Sequence, residues 1–230
     1  MCGRYTHALT WRDIVELYRL TAPAPPPGWS PRYNVAPSQE APVIRVNAAD
    51  GGREGAMLRW GLVPFWSKEA KPGYSTINAR AETVASKPAF REAYKRRRCV
   101  VPASGFYEWR AEAGSKGKQP YHFRHLLGGP MSFAGLWERW QPLDKSSGGE
   151  DPALETFTIV VCAASPQMRP YHDRMPVILT GRGIDSWLDP LSDLKSLAPL
   201  LVPFTGPLEI DPVSKTVNNP RNDSPALLAG

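Results

Sequence analysis

The sequence has few cysteines, no long apolar run and no internal repeat. Its three cysteines, Cys2, Cys99 and Cys162, are an odd number in 230 residues and lack CxxC spacing, which argues against a disulfide framework and favours a reducing compartment. No apolar run approaches the roughly 18 residues that a membrane-spanning helix requires. The N-terminus also lacks the basic and then apolar pattern of a secretion signal. We therefore expect a cytoplasmic protein that does not enter a membrane.

The composition is that of a globular protein, with 42% hydrophobic and 22% charged residues. The chain is long enough for one substantial core, and no linker divides it. The patterns predict an α+β fold: a single compact domain over residues 1–230, built mostly from antiparallel β-hairpins with a few peripheral helices. A polar loop is expected at about 141–153 and a polar C-terminal tail at about 218–230.

Local patterns place the main elements. Apolar residues at helical spacing follow Thr10, a good N-cap, and predict a short helix there. Alternating or continuous apolar runs separated by Gly, Pro and Asp predict strands. The expected strands include 41–46 and 57–64 as a hairpin, 105–109, 156–164 and 208–217, and a second helix is expected near 88–97.

Arginine dominates the basic residues, with 19 Arg against 9 Lys and a net charge of +6. Guanidinium groups bind phosphates bidentately and stack on bases, so this skew suits a nucleic-acid surface. A GC-rich genome explains the same skew without any function. The run Lys95 to Arg98 ends the second predicted helix, where cations meet the negative end of the helix dipole, and we interpret it as a solvated helix end.

Cys2 would carry a free α-amine beside its thiol if Met1 were removed. Both groups ionise near neutrality, at reference pKa values of about 8 and about 8.5, so both could act as nucleophiles. Such a 1,2-aminothiol condenses with an aldehyde to an imine, on which the thiol closes to form a five-membered thiazolidine. From position alone, however, Cys2 is only the second codon.

Seven short segments along the chain carry a family resemblance. They are MCGR at 1–4, RYNVAP at 32–37, RWGLVP at 59–64, INARAE at 77–82, GFYEW at 105–109, HDRMP at 172–176 and VNN at 217–219. In this order they resemble the SRAP family, the SOS-response-associated, abasic-site-processing proteins, along essentially the whole length. The resemblance implies a compact mixed domain of coiled β-hairpins that binds single-stranded DNA and forms a covalent adduct with the aldehyde of an abasic site.

The resemblance also implies a catalytic set of four residues: Cys2, Asn78, Glu108 and His172. His172 would assist opening of the closed abasic sugar, Glu108 between aromatic residues would shuttle protons at a raised pKa, and Asn78 would orient Cys2 or a sugar hydroxyl. Simpler roles remain open, namely a structural histidine, a surface salt bridge and a turn amide.

A DNA-binding set is expected around these residues. Arg4, Arg80 and Arg174 adjoin three of the site positions in sequence and are predicted to hold the phosphates that flank the lesion. Trp66 and Pro37 are predicted to stack on, or wedge between, the adjacent bases. Such a grip does not depend on base identity, so binding should fall steeply with salt and vary little with sequence.

No cofactor and no metal is expected. His122 and His125 are three residues apart on a predicted strand and so face opposite ways, and no CxxC accompanies them as in structural zinc sites. The expected partner is single-stranded DNA with abasic sites, bound by a monomer that associates with the nucleoid when engaged.

Three functional hypotheses remain at this stage. The first is a DNA-damage protein of the SOS response that shields abasic sites through lyase-like Schiff-base chemistry and a thiazolidine crosslink. The second is a cysteine peptidase or N-terminal-nucleophile hydrolase with autoproteolytic activity, in which the α-amine activates the thiol. The third is a non-catalytic single-strand binder.

Overall fold

A computed structural model describes residues 2–22, 24–70, 76–112, 114, 117–142 and 153–229. The predicted polar loop 141–153 therefore lies almost wholly outside the described residues. The α-helices are α1 (Trp11–Tyr18), α2 (Arg91–Arg96), α3 (Arg182–Leu188) and α4 (Leu194–Leu197). The strands are β1 (Tyr5–His7), β2 (Arg32–Val35), β3 (Glu40–Val46), β4 (Arg53–Trp60), β5 (Asn78–Arg80), β6 (Arg98–Ala103), β7 (Gly105–Ala111), β8 (Lys118–His125), β9 (Met131–Trp140), β10 (Leu154–Ala163), β11 (Arg174–Pro176), β12 (Ile178–Leu179) and β13 (Leu208–Pro212).

Five strands close into a barrel in the order β10, β4, β3, β6 and β9. The barrel closes because β10 pairs with β4 on one edge and with β9 on the other. The β10–β4 pair is parallel and the others are antiparallel. Strands β5, β11 and β12 extend the barrel wall. This α+β architecture, mostly of strands with a few helices, is the one predicted.

A second sheet, in the order β13, β8, β7, β1 and β2, is antiparallel throughout. It packs on the barrel through aromatic rings. Phe106 of β7 stacks on Phe123 at 4.9 Å and meets Phe133 of the barrel edge to face at 6.0 Å. Tyr5 of β1 meets Trp60 at 5.3 Å. The two sheets thus share one aromatic core, and the start of the chain lies at their junction.

Helix α1 forms as its sequence predicts. The Thr10 hydroxyl accepts from the backbone N–H of Asp13, and the Asp13 carboxylate accepts in return from the N–H of Thr10, which is a capping box. Trp11, Ile14 and Tyr18 occupy one buried face. The N-cap and the apolar spacing were therefore sufficient to locate this helix.

Several predicted boundaries are wrong. Strand β4 begins at Arg53 and ends at Trp60, rather than spanning 57–64, because Gly61 adopts a φ of 117° and turns the chain away. Helix α2 starts at Arg91, three residues later than expected. Strand β13 ends at Pro212 and is followed by a 3-10 turn at Lys215–Asn218. The three-residue strand β1, too short to show a period, was not predicted.

Arg98 is buried, so the interpretation of Lys95 to Arg98 as a solvated helix end is wrong for this residue. Its guanidinium donates to the carbonyls of Tyr94 and Lys95 in the last turn of α2. It also donates to the carbonyls of Trp187 and Asp189 at the end of α3. Arg98 therefore joins the ends of two helices through carbonyls that lack partners within each helix.

The C-terminal tail lies along β2. The amide of Asn34 donates to the carbonyls of Val217, Asn219 and Asn222, and Asp223 accepts from Arg32. Burial of Leu227 adds an apolar contact. Across the described part of the chain, none of the helices has the length and apolar character to cross a membrane.

Candidate active site

Strand pairing brings the start of the chain beside Glu108. Strands β1 and β7 pair with Tyr5 opposite Phe106, and the N–H of Tyr107 donates to the carbonyl of Arg4 at 2.9 Å. Continuing this antiparallel register places residue 3 opposite Glu108. Cys2, one residue further, is fully buried. The first residues and β7 thus form one side of a buried site.

Asn78 forms the opposite side of the site. Its Nδ2 donates to the carbonyl of Cys2 at 2.9 Å. Asn78 is the first residue of β5, which lies against β10 with Asn78 beside Ile159, and Trp60 Nε1 secures the preceding carbonyl of Ile77 at 2.8 Å. Within the described residues, Asn78 Oδ1 is buried and accepts no hydrogen bond. This oxygen can accept from a hydroxyl or amine of a bound molecule.

Glu108 lies on the core side of β7 and is only 4% exposed. As the alternation predicts, Tyr107 and Trp109 point away and pack in a separate cluster. Burial raises the pKa of Glu108 to about 7, with the positive charges of the amino terminus and Lys118 acting in the opposite direction. A carboxyl with this pKa exists in both forms at neutral pH, so it can both donate and accept a proton.

The Cys2 thiol is protonated in this environment. Burial raises its pKa well above the ordinary value, and the negative charge of Glu108 raises it further. The usual means of activating a nucleophilic cysteine is a lowered pKa, and the opposite holds here. Any reaction of this sulfur must therefore transfer its proton as the S–C bond forms.

His172 is held by the residues that follow it. Its Nδ1 accepts from the backbone N–H of Arg174 at 2.9 Å and lies 2.8 Å from Asp173 Oδ1. The backbone contact suits the neutral ring, with the proton on Nε2, whereas the carboxylate contact suits a protonated Nδ1. Burial lowers the pKa of His172, and the charges of the amino terminus and Lys118 lower it further, while Asp173 raises it. The neutral and the protonated forms of His172 thus each have a hydrogen-bond partner at Nδ1.

The three predicted DNA-binding arginines have different surroundings. Arg4 Nη1 donates to Asn34 Oδ1 at 2.7 Å and to the carbonyl of Val217 at 2.8 Å, so part of its guanidinium holds the C-terminal tail. Arg174 pairs with Glu82. Arg80 is exposed at the end of β5, two residues beyond Asn78. Of the three, Arg80 presents the most accessible cation.

The two predicted stacking residues, Trp66 and Pro37, both lie outside the strands. Trp66 is 51% exposed in the loop after β4. Pro37 is partly exposed, and the N–H of the next residue, Ser38, donates to the carbonyl of Trp60 at 2.8 Å. Pro37 therefore lies beside the end of β4, and Trp66 follows six residues after that end.

Two residues near the site were not predicted. Lys118, at the start of β8, lowers the pKa values of both Glu108 and His172. Its proximity follows from β7–β8 pairing, and its local sequence, a turn rich in Gly and Lys, contains no signal of it. Asp173 contacts His172 Nδ1, and its position next to the histidine in sequence was a usable signal.

The histidines considered as zinc ligands have other contacts. His122 Nε2 lies 3.1 Å from Thr6 Oγ1, and the ring of His125 packs against Phe204 at 5.0 Å. Over the residues that the structure describes, no group of three or more His, Cys, Asp or Glu side chains could hold a metal ion.

The family model and the curated relatives identify one family. The model of the family described as SOS response associated peptidase (SRAP) matches residues 1–220. The chain is 40% identical over 230 residues to the abasic site processing protein YoqW of Bacillus subtilis, covering 99% of each chain. It is 32% identical to the abasic site processing protein HMCES of Pongo abelii, covering all of this chain and 76% of that protein. A crystal structure of a protein from Bacteroides thetaiotaomicron superposes with a TM-score of 0.81 at 27% identity, over 99% of this chain and 98% of the other.

Proposed function

Because the chain belongs to the SRAP family, and the relatives cited above are named abasic site processing proteins, we propose that it captures abasic sites in single-stranded DNA by a covalent bond to Cys2. The observation that carries this proposal is the buried arrangement of Cys2 between Asn78 and a carboxyl, Glu108, whose pKa burial raises to about 7. An abasic site offers a matching electrophile, the aldehyde of its open sugar.

The first step is opening of the abasic deoxyribose, which exists mainly as a closed hemiacetal. A proton must reach the ring oxygen while another leaves the anomeric hydroxyl. We assign this step to His172, because its Nδ1 has a partner in either protonation state. The ring can then use Nε2 as a donor or as an acceptor without reorganising its surroundings.

The second step is formation of an imine by the α-amine of Cys2, freed by removal of Met1. The amine attacks the aldehyde carbon, and Glu108 takes a proton from nitrogen and returns one to the hydroxyl, which leaves as water. A pKa near 7 suits both transfers. Asn78 orients Cys2 through its carbonyl, and its buried Oδ1 is suited to accept from the sugar or the amine.

The third step is closure of the thiazolidine. The thiol adds across the C=N bond, so that sulfur bonds to carbon and its proton moves to nitrogen. The raised pKa of the thiol favours this order, amine first and sulfur second. Overall, one aldehyde and one aminothiol give one ring and one water.

The DNA would be held by contacts that do not distinguish one base from another. Arg80, Arg4 and Arg174 would bind the flanking phosphates, and Trp66 and Pro37 would contact the neighbouring bases. We further propose that residues 1–230 act as one domain and as a monomer, since one buried cluster runs from Cys2 to Leu208 and the four proposed catalytic residues lie on one chain.

The test is a denaturing gel after incubation with a single-stranded oligonucleotide that contains one abasic site. We expect an adduct that survives denaturation, and mass spectrometry should show that the mature protein begins at Cys2 and that the adduct has lost one water. The matched control is Cys99→Ala, which removes another buried thiol. Undamaged oligonucleotide should give no adduct.

Two results would contradict the proposal. Crosslinking by Cys2→Ala, or by protein with an added N-terminal residue, at the level of the native protein would rule out a thiazolidine. An adduct that survives denaturation only after reduction by borohydride would indicate an open imine without ring closure.

A further inference from the structure

A cavity of about 640 Å³ opens on the barrel wall near the exposed loop after β4. Two aromatic rings, Phe65 and Trp137, and four guanidinium groups line it, those of Arg91, Arg96, Arg97 and Arg139. We call it the arginine cavity. It includes part of the basic run that ends α2, which the proposed chemistry does not use.

Two of these cations are available to a ligand. Arg97 is engaged with the buried carboxylate of Glu138 at 2.7 Å, and Arg91 lies 3.8 Å from Glu92. Arg96 and Arg139 are both exposed, and neither forms an ion pair within the described residues. The arginine cavity thus carries two unpaired positive charges on its rim, which favours a ligand with phosphate groups.

The aromatic rings give the cavity a stacking surface. Arg45 lies 4.3 Å from the centre of the Trp137 ring and is itself held by Glu54 at 2.7 Å and Glu155 at 3.0 Å, so this ring is fixed in place. Phe65 is 48% exposed. An exposed ring beside free cations is the combination that binds a base and its phosphate together.

The chain just before Phe65 is attached to β10, the strand against which Asn78 lies. The N–H of Val63 donates to Thr156 of β10, and Asn78 pairs with Ile159, three residues further along the same strand. At about 3.3 Å per residue, Thr156 and Ile159 are about 10 Å apart along β10. Trp140 Nε1 bonds the carbonyl of Ser67 at 2.7 Å and so ties the loop to β9, which carries Trp137 and Arg139.

We infer that the arginine cavity binds a further nucleotide of the captured DNA strand, with its phosphate on Arg96 and Arg139 and its base on Phe65. The identity of the strand rests on the proposed function. A strand that leaves the Cys2 site over Trp66 reaches Phe65 next, because the two residues are adjacent in the chain. The arginine cavity would thus extend the DNA-binding surface on one side of the abasic site.

The test compares two double variants. Arg96→Ala/Arg139→Ala removes the two unpaired cations of the cavity, and Arg12→Ala/Arg182→Ala removes two exposed arginines from α1 and α3 as a matched control. Fluorescence anisotropy would measure binding of undamaged single strands from about 4 to about 16 nucleotides long, the range of single-strand site sizes. Abasic oligonucleotides with the lesion near the 5′ or the 3′ end would locate the side on which the cavity lies.

We expect the cavity variant to bind long strands about tenfold more weakly and to lose about 0.7 from the slope of log K against log salt, the value for one phosphate contact. The shortest strands should bind as they do to native protein. Phe65→Ala should reproduce the dependence on length without the change in slope. The control double variant should show no dependence of its defect on length.

Three outcomes would count against the inference or separate it from the proposed function. Equal loss at all lengths, or no loss, would overturn it. A free nucleoside monophosphate that raises the melting temperature through Arg96 and Arg139, without any length effect, would assign the cavity to free nucleotides and overturn the strand assignment. A length effect without any abasic adduct would contradict the proposed function and leave the cavity as a nucleic-acid site.

Discussion

Replacing Glu108 with Gln should stabilise the folded protein above neutral pH while slowing its reaction with DNA. The substitution keeps the shape of the side chain and removes the charge that burial disfavours. Glu108 is 4% exposed, and burial raises its pKa from the ordinary 4.5 to about 7. The folded state therefore binds the Glu108 proton more tightly than the unfolded state does.

The sign of the pH effect follows from that difference. Below pH 4.5 the carboxyl of Glu108 is protonated in both the folded and the unfolded state, so it does not change the free energy of unfolding. As the pH rises from 4.5 through 7, the folded protein loses stability, because the unfolded state releases the proton first. A shift of 2.5 units at 1.36 kcal/mol per unit corresponds to about 3 kcal/mol at pH 8. For a chain of this size, that is about 6 to 12 °C in melting temperature.

Urea unfolding at pH 5 and at pH 8 measures the effect directly. Glu108→Gln should gain up to about 3 kcal/mol over native protein at pH 8 and little at pH 5. Glu16→Gln is the matched control, because it removes the same charge from an exposed position on α1. Single-turnover crosslinking to an abasic oligonucleotide should slow by about 100-fold or more in Glu108→Gln only, the usual contribution of a general acid–base.

Two results would refute the reasoning. If the stability difference between Glu108→Gln and Glu16→Gln is the same at pH 5 and pH 8, Glu108 does not titrate near neutrality. If Glu108→Gln is stabilised as expected but crosslinks at the native rate, the carboxyl is buried without serving in proton transfer.

Further predictions concern the neighbours of Glu108. Asn78→Ala removes the hydrogen bond to the Cys2 carbonyl and should slow crosslinking about 100-fold through misplacement of the nucleophile, with binding to undamaged strand retained; equal losses in both assays would indicate a structural role. Asp173→Asn removes the carboxylate that raises the pKa of His172, so the acid limb of the crosslinking rate against pH should move to lower pH. If the limb does not move, the titration of His172 does not control it. Gly105→Ala would bring a Cβ within 2.3 Å of His122 Nε2 and 2.5 Å of a backbone oxygen and should cost about 1–3 kcal/mol in urea unfolding; an unchanged midpoint would show that β7 and β8 can separate there.

Local sequence was sufficient for many elements and insufficient for their ends. The capped helix after Thr10 and the hairpin of β3 and β4 carry their own spacing and turn residues. The end of β4 depends on the positive φ that Gly61 adopts in the fold, and the end of β13 depends on where its pairing with β8 stops. Strand β1 exists only because β2 and β7 pair with it.

The residue types of the candidate site came from the family resemblance. The resemblance named Cys2, Asn78, Glu108 and His172, and strand alternation predicted that Glu108 shares a face with Phe106, whereas its burial is seen only in the structure. The sequence did not reveal that Arg4 contacts Asn34 and that Arg174 pairs with Glu82, because those partners are distant in sequence. The sequence also did not indicate that Lys118 lies close enough to lower the pKa values of Glu108 and His172.

The sequence by itself determined the chemistry available to this protein: a cysteine at position 2, an amide, a carboxyl, an imidazole and an excess of arginine. Only the tertiary structure decided the pKa values of these groups and the residues that contact them. Contacts such as that between Asn78 and Cys2 join residues 76 positions apart, and burial between two sheets raises the pKa of Glu108. The physical reason is that desolvation and pairing depend on which segments meet in space, a property of the whole fold.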